Sequence, residues 1–291
     1  MTARPDWAIE GRDWPNRQAS RFVHASGLEW HVQVMGSGPI LLLIHGTGAA
    51  THSWRTLAPM LAKRFLVVSL DLPGHGFTEL PIGGQFTLPQ MAGAISQLLS
   101  KLDLAPTVVV GHSAGAAIAI RMALDRALEP SAIYSLNGAL MPFAGLASVA
   151  FPAIAKLLFL NRFAAPLLVR RVNEPGTIAK LLRNTGSQID SVGIELYERL
   201  LRTERHMAAT VGMMANWDLH SLKRSLCKLR SHLVLVVADG DRTISPQVAN
   251  DTKMLVPRSD IVHVKTYGHL AHEEAPLVFD EIIRGAAFER C

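Results

Sequence analysis

The sequence predicts an α/β architecture: a mostly parallel central sheet flanked by helices and interrupted by a helical insertion. Three observations carry this. Six short apolar runs recur along the 291 residues, each followed by glycine or aspartate. Within them apolarity is continuous rather than alternating, as expected for strands buried on both faces. Helical spacing fills the intervals between them, and the strand–helix alternation argues an open α/β sheet.

The first strand signal, LEWHVQVMG (28–36), alternates and fits an antiparallel edge hairpin. PILLLIHG (39–46) and FLVVSLDLPG (65–74) read as buried parallel strands. Thr87-Leu-Pro-Gln90 has the form of a capping box with proline in the first turn, opening a helix to about Leu104. The strand TVVVGHS (107–113) runs into a helix from Ala114 to Ala127, followed by the strand SAIYSLNG (131–138). From Met141 to Arg230 no convincing strand occurs, and patches such as ELYERLLRTERHMAATVGMM are helical. The strands HLVLVVADG (232–240) and DIVHVKTYG (260–268) and a helix from Glu273 to about Phe288 complete the chain. The expected division is a core of residues 1–140 and 231–291, with residues 141–230 as a helical cap over the carboxyl edge of the sheet, where ligands bind in such folds.

Composition narrows the function classes. An apolar fraction of 49% and a charged fraction of 18% fit a globular protein with a sizeable core. Cys227 and Cys291 form neither a zinc spacing nor a disulfide framework, which points to a reducing compartment. The N-terminal twenty residues hold no apolar run suited to a signal peptide. The apolar stretch 150–169 is broken by Lys156, Asn161 and Arg162, so a membrane span is not expected and the expected location is the cytoplasm. Peripheral contact of that stretch with a membrane stays open. Residues 141–230 carry thirteen Lys and Arg against six Asp and Glu, whereas the rest of the chain is net negative by two. These cations are scattered and no nucleic-acid fold signature accompanies them. They fit an anionic ligand, an acidic partner or an ordinary solvated helix surface.

Gly111-His112-Ser113-Ala114-Gly115 stands between a strand and a helix, the context of a nucleophile elbow. So tight a turn leaves no room for bulky neighbours, hence the flanking glycines. It also puts Ser113 at a helix N-terminus, where the dipole favours an oxyanion. A serine hydroxyl needs a base near neutral pH. His269 follows the last strand and precedes the last helix, in the chain order Ser, acid, His. His272 is its rival. The loop VVADGDRTISP offers Asp239, which can simply cap the turn, and Asp241, further out and the preferred acid. Two N–H donors should hold an oxyanion: that of Ala114 and, from the loop His45-Gly46-Thr47-Gly48, that of Thr47. His45 and His75 read as loop braces. No Gly-Lys-Ser/Thr and no H-E-x-x-H occurs, so neither a P-loop, a metal site nor a cofactor is expected.

HGTG, DLPGHGFT, GHSAG, the D-G-D-R turn and GHLAHEEAP, in this order from about residue 23 to 289, resemble the α/β-hydrolase fold family. Relatives with an aspartate nucleophile, the haloalkane dehalogenases and epoxide hydrolases, fit poorly with Ser113. DWPNRQASRFV, HGTGAATHSWR, GHSAGAAIAIRMALD, NTGSQIDSVGIELYERL and MMANWDL further resemble the magnesium-chelatase accessory proteins of bacteriochlorophyll synthesis. That resemblance implies a link to tetrapyrrole metabolism and photosynthesis. The expected activity is acyl hydrolysis, of an ester first, with thioester or carbon–carbon cleavage open on the same residues. Phe151, Phe159, Met213, Met214 and Trp217 of the cap are candidates to line a site for a bulky apolar or tetrapyrrole-like substrate, although helices bury such residues in any case. The rival expectation is a non-catalytic porphyrin-binding protein or an assistant of magnesium chelatase.

Overall fold

The computed structural model describes residues 5–142, apart from 82 and 85, and residues 164–288. Eight strands form one sheet: β1 (Ser20–Ala25), β2 (Leu28–Met35), β3 (Ile40–Ile44), β4 (Leu66–Leu70), β5 (Val108–His112), β6 (Ala132–Leu136), β7 (His232–Ala238) and β8 (Ser259–Val264). Their spatial order is β1-β2-β4-β3-β5-β6-β7-β8. The pairs β1/β2 and β2/β4 are antiparallel, and every later pair is parallel.

Alternate residues of the parallel strands enter two apolar layers, which is why their sequences are continuously apolar. Leu42, Ile44, Val109, Ile133 and Leu235 face the layer that holds α2 (Leu88–Lys101) and α3 (Ala114–Leu124). Leu41, Leu43, Val110, Tyr134 and Val236 face the layer of α1 (Leu57–Leu61) and α11 (Pro276–Phe288). The capping box of Thr87 and Gln90 opens α2.

The alternating run 28–36 is antiparallel, as expected, and its strand forms with β1 the hairpin at one edge of the sheet. Within that hairpin β2 is the inner strand, and most of its residues are buried on both faces. The edge is β1, and the N-terminal residues cover what would otherwise be a wet face. Trp7 packs its ring on Phe22, His31 and Phe77, while Gln33 Nε2 donates to the Pro15 carbonyl. The expected final helix is also divided, into α10 (Ala271–Glu274) and α11, because Pro276 cannot continue the hydrogen-bond ladder.

Between β6 and β7 the described residues form α4 (Ala164–Val172), α5 (Thr177–Asn184), α6 (Ser191–Leu201), α7 (Glu204–Ala215) and α8 (His220–Ser225). We call these the cap helices. α9 (Gln247–Leu255) joins β7 to β8. No helix among the described residues is long and apolar enough to cross a membrane.

Candidate active site

Ser113 follows β5 with φ 52° and ψ −117°, a conformation that costs a side-chain-bearing residue of order 1–3 kcal/mol and must be enforced by its surroundings. Glycines let the neighbours close in. A Cβ on Gly111 would lie 2.5 Å from the Ala116 backbone, and one on Gly115 would lie 2.1 Å from the Ile44 carbonyl oxygen. The start of α3 thus sits directly on the end of β3.

The loop after β3 closes on the same turn, since a Cβ on Gly46 would meet Ser113 Cβ at 3.0 Å. Among the described residues, neither the Thr47 N–H nor the Ala114 N–H donates to a protein acceptor. His45 braces this loop: its Nδ1–H donates to the Gly46 carbonyl at 2.7 Å, and its Nε2 accepts from the Leu72 N–H at 2.9 Å. His206 of α7 ties the loop to the cap. Its Nε2–H donates to the Gly48 carbonyl at 3.1 Å, and its Nδ1 accepts from the Gly76 N–H at 3.0 Å. That pattern needs the neutral ring, and burial accordingly lowers its pKa to about 4.

His269 lies in the loop after β8, with Nδ1 2.7 Å from Asp241 Oδ2. Their side chains are only 9% and 1% exposed. The other Asp241 oxygen, Oδ1, accepts from the N–H groups of Thr243 and Ile244. Asp239 instead pairs with His263 in solvent. The His269 carbonyl accepts from His112 Nε2 and Asn137 Nδ2, both at 2.9 Å, while Asn137 Oδ1 accepts from Ala238 N–H at the end of β7. One asparagine therefore holds the ends of both loops. The His112 and His269 rings lie 4.8 Å apart, which brings the His269 imidazole against the turn that carries Ser113. Among the described residues no hydrogen bond joins the Ser113 hydroxyl to His269, and Nε2 of His269 has no protein partner. Such bonds commonly tighten only when substrate is bound.

His272, the rival base, is committed elsewhere. It lies 2.9 Å from Ser53 Oγ, and burial lowers its pKa to about 3. Beside it Glu273 accepts from Ser53, Arg55 and Tyr197, a buried junction between the core and α6. Burial raises the Glu273 pKa despite these donors.

Of the cap candidates, Met213 is fully buried with its Sδ 3.4 Å from Thr47 Oγ1. Trp217 packs against the cluster that contains Ala114 and Leu140, and its indole N–H has no acceptor among the described residues. Met214 is partly exposed. Phe151 and Phe159, with most of the 150–169 stretch, lie outside the described residues. No group of His, Cys, Asp or Glu among the described residues is arranged to hold a metal ion.

Sequence reasoning missed Asn137, His206 and the Glu273 junction. The dipeptide Asn137-Gly138 at a strand end was a visible signal for the first; the other two depend on contacts between distant segments. It also missed a second hydrogen-bonded Ser, His and Asp. His31 Nδ1 is 2.8 Å from Asp71 Oδ2, and its Nε2 is 2.9 Å from Ser20 Oγ.

A family model described as the α/β hydrolase fold matches residues 39–276. The chain is 37% identical over 265 residues to the magnesium-chelatase 30 kDa subunit of Rhodobacter capsulatus, covering 90% of this chain and 92% of that one. Among solved structures it resembles the epoxide hydrolase CorEH, with TM-score 0.78 and 22% identity over 91% of this chain and 96% of the other. It also resembles a putative lipase from Acinetobacter baumannii AYE, with TM-score 0.77 and 21% identity over 92% and 90%.

Proposed function

From the chain's membership of the α/β-hydrolase fold family, we propose that it is a serine hydrolase acting on a carboxylic ester through Ser113, His269 and Asp241. The observation that carries this reading is the strained turn at Ser113 beside two uncommitted backbone N–H groups, with a buried imidazole–carboxylate pair against it.

Ser113 Oγ attacks the ester carbonyl while Nε2 of His269 takes its proton. Asp241 accepts the Nδ1–H, fixes the tautomer and stabilises the imidazolium that forms. The carbonyl oxygen, now an anion, takes the N–H groups of Thr47 and Ala114, each worth about 3–4 kcal/mol of barrier. The imidazolium returns its proton to the leaving alkoxide. Water then attacks the acyl-enzyme with His269 as base, which frees the acid and restores Ser113. Met213, beside Thr47, and Trp217 favour a bulky apolar acyl or alcohol group.

A second reading has an observation of its own, the 37% identity to a protein named as a magnesium-chelatase subunit. On it, the chain associates with magnesium chelatase or holds a tetrapyrrole, and Ser113 is dispensable. A panel of p-nitrophenyl esters of rising acyl length, tested on wild type and Ser113→Ala, separates the two. The hydrolase reading expects turnover that Ser113→Ala loses. Equal rates for the two proteins, together with a saturable Soret shift on adding protoporphyrin to both, would favour the second.

A further inference from the structure

One short segment of the cap, Thr185–Gln188, leaves α5 and passes between the loops that carry Asp241 and His269. The Thr185 carbonyl accepts from Arg242 N–H at 3.1 Å and from His269 N–H at 3.3 Å. One oxygen thus bonds the residue after the acid and the base itself. Ser187 Oγ, fully buried, accepts from Leu270 N–H at 2.8 Å and lies 3.1 Å from Thr185 Oγ1. The single proton of Thr185 Oγ1 serves its 2.6 Å bond to the Leu182 carbonyl, so Ser187 is the donor between the two hydroxyls. A continuous chain of donors runs from the base loop to the last turn of α5. Glu274 closes the other side, accepting from Gly268 N–H and Gln188 N–H, both at 3.0 Å.

The contact is backbone on backbone. A Cβ on Gly186 would lie 2.1 Å from the Gly240 carbonyl oxygen, and one on Gly268 would lie 2.2 Å from the Gly186 carbonyl carbon. Gly186 also has φ +89°, which disfavours any other residue. Three glycines from three segments interlock where a side chain on any of them would force the loops apart.

We propose that Thr185–Gln188 is a strap by which the cap holds Asp241 and His269 in register, with Ser187 as a positioning residue for His269. The cap is then part of the catalytic frame and not only a cover for substrate. Ser187 touches no reacting atom; it acts through the Leu270 N–H and the backbone that carries the imidazole. The inference rests on the proposed triad for its catalytic consequence, but not for the Asp241–His269 geometry itself.

The test uses the whole chain in four forms: wild type, Ser187→Ala, Ser187→Thr and, as a milder second lesion, Thr185→Val. The low-field proton resonance of the His269 Nδ1–H, identified by its loss in His269→Gln, reports the bond to Asp241. The rate of phosphonylation by a fluorophosphonate reports the assembled site. Ser187→Ala should broaden or shift the low-field resonance and slow phosphonylation about tenfold, with Thr185→Val intermediate and Ser187→Thr near wild type. If Ser187→Ala proves unfolded, the same ordering of Thr185→Val below wild type carries the test. An unchanged resonance in folded Ser187→Ala, or in Thr185→Val where the alanine variant is unfolded, would overturn the strap. A wild type that resists the probe while Ser187→Ala still loses the resonance would retain the strap and sink the hydrolase reading.

Discussion

The molecule contains two sets of serine, histidine and aspartate, and at the acid–base pair they are nearly alike. His269 and Asp241 stand 2.7 Å apart, His31 and Asp71 2.8 Å. Each aspartate also accepts two backbone N–H bonds, from Thr243 and Ile244 in one case and from Thr51 and Phe77 in the other. At Asp71 burial favours the neutral acid, but the charge and hydrogen bond of His31 prevail and hold it well below the usual carboxylate range. The difference lies at the serine. Ser20 has relaxed extended backbone, with φ −74° and ψ 138°, and its oxygen is already held by His31 and Gln33. Ser113 is strained, and among the described residues the two N–H donors it borders and His269 Nε2 have no protein partner. A histidine–aspartate pair is therefore no mark of chemistry. The backbone under the serine, and the donors left unspent around it, distinguish the site proposed to react from the one that staples β1 and β2 to the loop after β4.

This contrast is open to direct attack. Its largest expected effect is on the serines: Ser113→Ala should cost hydrolysis roughly 10⁴-fold or more, whereas Ser20→Ala should leave kcat/KM within twofold on the same ester. Next come the acids. Asp241→Asn should lower kcat about 10⁴-fold by inverting the imidazole tautomer, with a small change in Tm. Asp71→Asn should do the reverse, destabilising the fold by about 3–5 kcal/mol because a buried partner is left behind, while the folded fraction stays active. Chemical denaturation and steady-state assays on the same samples would check both.

A third expectation concerns acid. The pKa values of His206 and His272 fall from 6.5 to about 4 and about 3. Each holds fewer protons in the folded state between those values and 6.5, so stability should be complete above pH 6.5 and fall as pH drops through that window. At pH 5 each should have lost about 2 kcal/mol. Replacing His206 by asparagine should flatten that slope in urea unfolding followed from pH 7 to 4.5. The smallest effect belongs to Ser20→Ala on stability, about 1–2 kcal/mol for its two hydrogen bonds, with His31 and Gln33, read as a shift in urea midpoint at constant slope.

Much of the fold was legible because double burial writes itself as continuous apolar runs, so the six parallel strands and α2 and α3 could be read directly. β1 was not, because Ser20–Ala25 is mostly solvent-accessible and carries no strong pattern. The alternation of β2 pointed to the edge hairpin but understated its burial, since covering residues from the N-terminus bury the face that alternation assigns to water. Ser113 was legible from its glycines. Asp241 and Asp239 were harder to separate, two residues apart in one turn; in the structure the first faces His269 and the second pairs with His263 in solvent. The contacts of Thr185–Gln188 and of His206 were beyond reach, because each acts across segments far apart in the chain, whereas Asn137 left only its Asn-Gly dipeptide at a strand end as a sign.

The most direct measurement is peptide mass mapping after the wild-type protein reacts with a fluorophosphonate at pH 7.5. The account predicts one phosphonyl adduct, on Ser113, absent from His269→Ala and undiminished in Ser20→Ala. No adduct on Ser113, or one on Ser20, would contradict it.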